Sequence, residues 1–337
     1  MTSNSEYNEA TTATEVARAF ANYIRGKNVV ITGVGPNSLG ESMAIAVATQ
    51  DPSNLVLASR TKAKVEEVIG KVKQITTKTT VNFVELNLSS QESIRKAATT
   101  INSLLDRIDV LINNAGVMVL ERRSTDEGIE LQFGTNYIGH FLFTNLLMDK
   151  LKHASKHSTP GATRIINVTS QGHRLSPVRF HDYNLEGKEV PLDEQPPPGL
   201  PPMFSVDGGY SGWLAYGQSK TANILFSVYL SQMLKPAGIV SYAVHPGSIW
   251  TDLSRNLDEE GTEIISKTGT FWKTADQGSA TMLVAAFDPA LSESPEPYDV
   301  YLSNCQFAET APHASGSERA EKLWQLSEEL VGRKFDL

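Results

Sequence analysis

The chain has 337 residues, a formal net charge of −8, 40% hydrophobic residues and 20% charged residues, values typical of a large soluble globular domain. The acidic balance argues against nucleic-acid binding, and the single cysteine excludes an internal disulfide framework. No run approaches the roughly 18 to 20 apolar residues that span a bilayer, and the polar N-terminus lacks the apolar core of a secretory signal, so a cytoplasmic protein without a membrane anchor is expected.

Short apolar runs alternate along the chain with segments of helical periodicity. The predicted strands are 28–32, 54–59, 81–86, 108–115, 163–170, 239–246 and 298–302, and the main predicted helices are 39–50, 61–75, 90–105, 213–235 and 317–331. Near-continuous apolarity is typical of strands that are covered on both faces, and this alternation is typical of right-handed crossovers. The pattern therefore predicts an α/β fold with a doubly wound, seven-stranded parallel sheet and helices on both faces.

Two segments interrupt this alternation. Residues 1–26 form an N-terminal extension with a short predicted helix, in which Thr12 and Glu15 have capping-box spacing. Residues 171–212 contain EQPPPGLPP and VDGGYSG, which are incompatible with regular helix or sheet. Because an insertion of this length in a compact domain is usually functional or disordered, we interpret it as a lid over the substrate.

The loop TGVGPNSLGES (32–42) joins the first predicted strand to the first predicted helix of the sheet. Glycine permits close approach of a pyrophosphate, and the following helix N-terminus supplies free N–H groups. The sequence G-x-G-x-x-G would need glycine at position 38, where this chain has Ser38. The strand–loop–helix context nevertheless favours a dinucleotide site, with Gly33 and Gly40 as its fixed points, Gly35 in a one-residue expansion and the Ser38 hydroxyl on the phosphates.

The end of the second predicted strand indicates which dinucleotide would bind. NAD sites place a carboxylate there for the ribose 2′-hydroxyl, whereas this chain has Ser59 followed by Arg60. A guanidinium pairs well with a 2′-phosphate, and it is unfavourable as a plain helix start. NADP(H) is therefore the predicted cofactor.

The segment YGQSK places Tyr216 and Lys220 one helical turn apart, so that the phenol and the ammonium share a face. A nearby cation would lower the pKa of the phenol toward the operating pH. The same spacing recurs at Tyr23 and Lys27, across Gly26 at a helix-to-strand junction, and we interpret that pair as a chance match.

Taken together, the motifs resemble the short-chain dehydrogenase/reductase family, specifically its retinol-dehydrogenase-like branch and a soluble, fungal-type member. The matching motifs are the glycine-rich loop, NNAG (113–116), FGTNYIGHF (133–141), INVTSQGH (166–173), YGQSK (216–220) and HPGSIWT (245–251), and they occur in the family's order. The resemblance implies a single Rossmann domain over 27–337, with the insertion and a C-terminal helix included.

The resemblance also implies the roles of individual residues. The catalytic tetrad falls on Asn136, Ser170, Tyr216 and Lys220, where Tyr216 donates a proton, Ser170 binds the same oxygen, Lys220 assists Tyr216 and Asn136 holds a relay water. The implied cofactor-binding residues are Gly33, Ser38, Leu39, Gly40, Arg60, Asn87, Leu88, Asn114, Ala115, Gly116, Tyr216, Lys220, Pro246, Gly247, Ile249 and Thr251. Candidate substrate contacts are His173, Phe204, Tyr210 and Trp213. No metal site is predicted, because His153 and His157 lack a third ligand.

Several positions depart from the family pattern. Asn87 replaces the usual aspartate at the adenine, Ser38 replaces a loop glycine, and the interval from Ser170 to Tyr216 is long. An amide still bonds adenine, and the long interval affects the substrate loop more than the chemistry. Family members often form dimers through the helices that begin near residues 128 and 213, so a homodimer is one expected arrangement.

The predicted function is NADPH-dependent reduction of a ketone or aldehyde, reversible as an alcohol dehydrogenase. Aromatic residues in the insertion point to a bulky hydrophobic substrate such as a polyketide, terpenoid or retinoid-like compound. Two alternatives remain: reduction of a C=C or C=N bond, and a non-catalytic NADPH-binding regulatory protein on the same fold.

Overall fold

The computed structural model describes residues 1–200, 204, 209–250, 253, 257, 259–267 and 269–337. The strands are β1 Asn28–Thr32, β2 Asn54–Ser59, β3 Thr80–Glu85, β4 Val110–Asn113, β5 Thr163–Val168, β6 Ile239–His245, β7 Tyr301–Ser303 and β8 Gln306–Phe307. The helices are α1 Ala13–Ala19, α2 Ala21–Ile24, α3 Leu39–Ala48, α4 Lys62–Ile75, α5 Gln91–Leu104, α6 Leu131–Phe133, α7 Gly139–Leu146, α8 Met148–Lys156, α9 Gly212–Met233, α10 Glu259–Ser266, α11 Ala275–Phe287 and α12 Ser317–Val331. A π-helical turn, Gly134–Ile138, joins α6 to α7. Within these described ranges, no helix is both long and apolar enough to cross a membrane.

The strands form one sheet in the order β3-β2-β1-β4-β5-β6-β7-β8. The first seven are parallel, which confirms the predicted doubly wound sheet, while β8 pairs antiparallel with β7. This eighth strand was not predicted, because two residues after the left-handed turn at Asn304 and Cys305 are too short to give a periodic signal. The strand order reverses between β1 and β4, and in such sheets ligands bind beyond the carboxyl ends of the strands at that point.

The two faces of the sheet bury two hydrophobic cores. Because side chains alternate along a strand, Val30 of β1 packs into one core, whereas Val29 and Ile31 pack into the other. Both sets are fully buried, which explains why the strands read as continuous apolar runs. The sheet is therefore held from both sides, and its strand ends are rigid supports for loops.

The N-terminal segment is part of this packing. Thr12 and Glu15 form the predicted capping box at the start of α1, and Val16, Phe20 and Ile24 are buried in the second core. The predicted extension over residues 1–26 is thus packed on the same core as the rest of the chain.

The insertion at 171–212 is packed on α12 in its first part, and the predicted lid over the substrate remains a prediction. Buried Glu194 accepts hydrogen bonds from His181 Nδ1 at 2.9 Å and Lys322 Nζ at 3.1 Å, and Lys322 Nζ lies 4.3 Å from the Phe180 ring centre. These contacts fasten the first part of the insertion to α12. Residues 201–203 and 205–208 lie outside the described residues.

The C-terminal helix α12 covers the helices on which a dimer interface was expected. The Trp324 ring stacks on Tyr229 of α9 with centroids 4.4 Å apart and meets Phe141 of α7 edge-on at 4.8 Å. Phe335 contacts the same phenylalanine at 5.7 Å. A homodimer through this face would have to displace α12, and the predicted dimer remains a prediction.

We predict that Trp324→Ala lowers the free energy of unfolding by about 3–5 kcal/mol, since it removes a large, almost fully buried side chain that joins three helices. Urea denaturation monitored by circular dichroism would measure this change. Tyr298→Ala is the matched control, because Tyr298 is 69% exposed and its loss should cost less than about 0.5 kcal/mol. Equal effects of the two substitutions would contradict the role assigned to α12.

Candidate active site

A cavity of about 740 Å³ opens beyond the carboxyl ends of the strands around the point where the strand order reverses. The predicted site residues that line it are Gly33, Ser38, Leu39, Arg60, Asn87, Leu88, Asn114, Ala115, Gly116, Ser170, Phe204, Trp213, Tyr216, Lys220, Pro246, Gly247 and Ile249. Gly40, Asn136, His173 and Tyr210 lie behind this lining, and Thr251 lies outside the described residues.

The glycine-rich loop is constrained at two of its three glycines. Gly33 has φ +75°, and a Cβ on it would lie 2.6 Å from the Ala115 Cα. A Cβ on Gly40 would lie 2.6 Å from the Gly33 carbonyl oxygen, whereas at Gly35 the nearest atoms are 3.9 Å away. This geometry agrees with the expectation that Gly33 and Gly40 are the fixed points of the loop.

Ser38 has a different role from the predicted one. It is the N-cap of α3: its Oγ accepts from the Glu41 N–H at 3.1 Å and donates to the Gly35 carbonyl at 2.7 Å. The hydroxyl therefore holds the loop and caps the helix while Ser38 lines the cavity, and its contact with a phosphate remains a prediction. The N-terminus of α3 still faces the cavity through Leu39.

A basic edge borders the cavity beside this loop. Arg60 follows the end of β2 and is exposed, and Lys64 of α4 lines the cavity on the same side. The residue at the end of β2 is Ser59, so the position of the usual acidic residue carries no negative charge. Asn87 and Leu88, after β3, complete this end of the cavity.

Tyr216 and Ser170 meet at the floor of the cavity. Tyr216 is 6% exposed, and Ser170 is close enough to lower its pKa. Gly172 makes this approach feasible, because a Cβ there would lie 2.9 Å from two Tyr216 ring carbons. Burial raises the pKa of Tyr216 to about 12, against the lowering effect of Ser170, so burial outweighs the predicted reduction of this pKa.

Lys220 lies one turn further along α9, as the spacing predicts. Its Nζ is 5.5 Å from the Tyr216 ring centre and donates to the Val168 carbonyl at 3.2 Å. Burial lowers the pKa of Lys220 to about 8. The other pair with this spacing is unrelated to the cavity: Tyr23 is 47% exposed, and Lys27 pairs with Asp109 at 3.6 Å.

Asn136 lies in the π-helical turn behind Lys220. Its side chain is fixed by Val117, whose N–H donates to Oδ1 at 2.7 Å, and by Ser219, whose Oγ accepts from Nδ2 at 3.0 Å. A Cβ on Gly116 would lie 3.3 Å from Asn136 Oδ1 and 3.5 Å from Lys220 Nζ. The amide and the ammonium therefore border the same small space next to Gly116.

Two predicted substrate contacts are structural residues. His173 is fully buried, with Nδ1 bonded to the Ser170 carbonyl at 2.7 Å and Nε2 accepting from the Ala311 N–H at 3.0 Å. The Tyr210 hydroxyl donates to buried Glu130 at 2.9 Å, with Arg122 stacked on its ring. Both side chains are held by these partners and are not part of the cavity lining, so their contact with a substrate remains a prediction.

Phe204 and Trp213 line the cavity as predicted positions. They form one apolar end of it together with residues that the sequence motifs did not indicate. Their rings meet edge-on with centroids 5.5 Å apart. Other apolar residues around them, which the sequence analysis did not select, are Met118, Leu131, Leu175, Leu253, Ile264, Ile265 and Trp272. The adjacent isoleucines on the short helix α10 could have indicated this apolar surface. They lie far along the chain from the motifs, so the sequence offered no reason to place them at the cavity.

The chain is similar in sequence and in fold to several known proteins. The family model described as short chain dehydrogenase matches residues 27–184. Human retinol dehydrogenase 13 is 33% identical over 311 residues, which cover 92% of this chain and 86% of that protein. Oxidoreductase fscI of Fusarium equiseti is 36% identical over 248 residues, which cover 72% of this chain and 95% of that protein. The crystal structure of an uncharacterised protein from Mycobacterium paratuberculosis is 29% identical, covers 93% of this chain and 96% of its own, and has a TM-score of 0.65.

We predict that Gly33→Ala destabilises the protein by about 1–3 kcal/mol, because the new methyl group meets Ala115 and the backbone is left-handed. Gly35→Ala, two residues away with open space around its Cβ, should change the free energy of unfolding by less than about 1 kcal/mol. Urea denaturation of the two variants measures the difference. Equal stability would show that the loop does not hold Gly33 in this conformation.

Proposed function

Because the chain belongs to the short-chain dehydrogenase family, as a member similar to retinol dehydrogenases, we propose that it is an NADP(H)-dependent reductase of ketones or aldehydes on bulky hydrophobic molecules. In reverse it would oxidise the corresponding alcohol. The observation that carries the proposal is the convergence of Tyr216, Ser170 and Lys220 at the floor of a cavity with one polar end and one apolar end.

The polar end of the cavity fits a dinucleotide. Gly33 and Gly40 leave a cradle that a Cβ would fill, and the N-terminus of α3 opens onto it, as pyrophosphate binding requires. Arg60 would pair with a 2′-phosphate, with Lys64 beside it. The remaining predicted contacts, which continue around the cavity, are Asn87, Leu88, Asn114, Ala115, Gly116, Pro246, Gly247 and Ile249.

The residues at the floor supply the proton and the positioning. NADPH, when bound, supplies the hydride. Tyr216 would donate its phenolic proton to the carbonyl oxygen, and Ser170, which borders Gly172 together with Tyr216, would bind the same oxygen as charge develops on it. With a pKa of about 12, Tyr216 is protonated at neutral pH, which is the form that reduction requires.

Lys220 would favour this chemistry while it is charged. Its pKa of about 8 keeps it mostly protonated at neutral pH. The rate of carbonyl reduction should therefore decline as the pH rises through about 8. Above this pH Lys220 loses its positive charge and no longer assists proton donation by Tyr216. Alcohol oxidation needs the phenolate form of Tyr216 and should instead increase toward alkaline pH.

The apolar end indicates the substrate class. Phe204, Trp213 and Met118 surround the space beside Tyr216, together with the isoleucines of α10. Burying an apolar group against such a surface is favourable by about 25 cal/mol per Å². A bulky hydrophobic carbonyl compound would use this surface, whereas a small polar substrate would leave it uncovered.

We predict that Tyr216→Phe lowers kcat for carbonyl reduction by at least about 100-fold, because the phenolic proton is lost while the ring is retained. A panel of hydrophobic ketones and aldehydes, monitored by NADPH oxidation, provides the assay, and quenching of protein fluorescence measures NADPH binding separately. Tyr23→Phe is the matched control. Tyr23 and Lys27 have the same spacing as Tyr216 and Lys220 but lie outside the cavity, so this substitution should leave kcat unchanged.

Unchanged turnover in Tyr216→Phe would overturn the catalytic assignment, and NADPH binding without turnover of any compound would favour a regulatory protein. Deuterated NADPH separates the remaining alternative, because the position of deuterium in the product distinguishes a reduced carbonyl from a reduced C=C or C=N bond.

We predict that Arg60→Asp raises the Kd for NADPH by about 10–100-fold and changes that for NADH much less, since a charge-assisted hydrogen bond to the 2′-phosphate is replaced by repulsion. Arg25→Asp makes the same charge change just before the amino end of β1, at the opposite edge of the sheet, and should alter neither constant. Titration of both cofactors measures the effect. A wild-type preference for NADH of tenfold or more would contradict NADP(H) as the cofactor.

A further inference from the structure

A buried histidine joins the cofactor loop to the catalytic region. His140, the second residue of α7, is 1% exposed. Its Nδ1 lies 2.9 Å from the carbonyl oxygen of Asn136, and its Nε2 lies 2.9 Å from the Oγ1 of Thr32. Thr32 is the last residue of β1 and directly precedes Gly33.

The hydrogen bonds of Thr32 determine the tautomer of this histidine. Thr32 Oγ1 accepts from the Asn114 N–H at 2.9 Å and from the Ala115 N–H at 3.0 Å, so its hydrogen is available for donation. Its nearest acceptor is His140 Nε2, since the alternative, the Ile112 carbonyl, is 3.5 Å away. Nε2 therefore accepts, and Nδ1 carries the hydrogen that is donated to the Asn136 carbonyl.

The charge state of His140 is consistent with this arrangement. Burial, against the raising effect of the hydrogen bond to the Asn136 carbonyl and with a smaller contribution from the positive charge of Lys220, lowers the pKa of His140 to about 4. The imidazole is thus neutral at physiological pH, with one donor and one acceptor, and both are used.

Asn136 is held by hydrogen bonds to three residues, and its side chain borders the space next to Lys220. Its amide is fixed by Val117 and Ser219, and its carbonyl accepts from His140. The space between the amide and Lys220 Nζ is the one beside Gly116. A shift of the Asn136 backbone would therefore change the surroundings of Lys220 directly.

From this geometry we infer that His140 is a positioning residue: Thr32 fixes the tautomer in which Nδ1 donates to the Asn136 carbonyl, and this bond holds Asn136 and so sets the site of Lys220. The inference rests on the proposed function for its kinetic consequence. The hydrogen-bonding state of the ring is a property of the protein itself and can be measured without turnover.

Three substitutions separate the two nitrogens of the ring. His140→Asn retains a donor at the position of Nδ1, so it should keep the bond to Asn136. His140→Gln places its polar group near the position of Nε2, and His140→Phe retains volume without either bond. We expect kcat to fall at least tenfold in His140→Phe and His140→Gln, with the Kd for NADPH within threefold of wild type, and to recover to within threefold of wild type in His140→Asn.

Tyr242→Phe is the control for the loss of a buried polar group. The Tyr242 hydroxyl bonds the Leu291 and Glu293 carbonyls in the other core, and its removal should not alter kcat. Equal kcat losses in all three His140 variants, or unchanged kcat in His140→Phe, would overturn the positioning role. Urea denaturation of each variant shows whether the assayed protein is folded.

Nitrogen-15 NMR of the histidine side chains in wild-type protein without cofactor provides the second measurement, and His140→Asn identifies the resonances. We expect a neutral Nδ1–H tautomer that does not titrate between pH 5.5 and 9. An Nε2–H tautomer, or protonation within that range, would overturn the inference even if His140→Phe does not fold. If the wild type turns over no carbonyl compound, the proposed function fails and the tautomer alone decides the inference.

Discussion

The candidate site depends on the parallel pairing of β1 with β4. Ile31 lies opposite Ile112 in this pair, so the two chains leave the sheet at the same level. Gly33 then meets Ala115 so closely that no side chain fits between them. The Asn114 amide donates to the Thr32 and Gly33 carbonyls at 2.8 and 3.2 Å and joins the two turns. A cavity at this point follows from the strand order, and its polar lining follows from the backbone groups that the strand ends leave free.

Burial has opposite consequences for the two ionisable groups at the floor. It raises the pKa of Tyr216 and lowers that of Lys220, because in both cases the charged form loses hydration. As a result, Tyr216 is a neutral phenol at physiological pH, and the neighbouring Lys220 ammonium loses its proton only about one pH unit above it. A site with these protonation states is suited to giving a proton to an oxygen, and α9 keeps the groups in register because they are one turn apart on a buried helix.

The sequence was informative where a residue's role depends on its neighbours along the chain. The apolar strands, the capping box at Thr12 and the turn spacing of Tyr216 and Lys220 are local patterns, and the structure contains each of them. His173 and Tyr210 lie outside the cavity lining, and the sequence could not show this because their partners are distant: Ala311 lies 138 residues from His173, and Glu130 lies 80 residues from Tyr210. For the same reason the sequence could not show that the insertion is fastened to α12, or that His140 bonds Thr32 across 108 residues.

The two ends of the cavity are built from different parts of the fold, and this division has a chemical consequence. The polar end consists of turns that leave the central strands, where Gly33, Gly40 and Gly116 allow almost no change in volume. The apolar end is formed by Phe204 and helix α10, which lie in long connections outside the sheet, and by Trp213 near the start of α9. Substitutions at the polar end disturb the packing of the sheet itself, whereas those at Phe204 and on α10 mainly change what the cavity accepts. Under the proposed function, the rigid part of the fold would therefore hold the cofactor and the proton donor, and the shape of the substrate end would depend on residues outside the sheet.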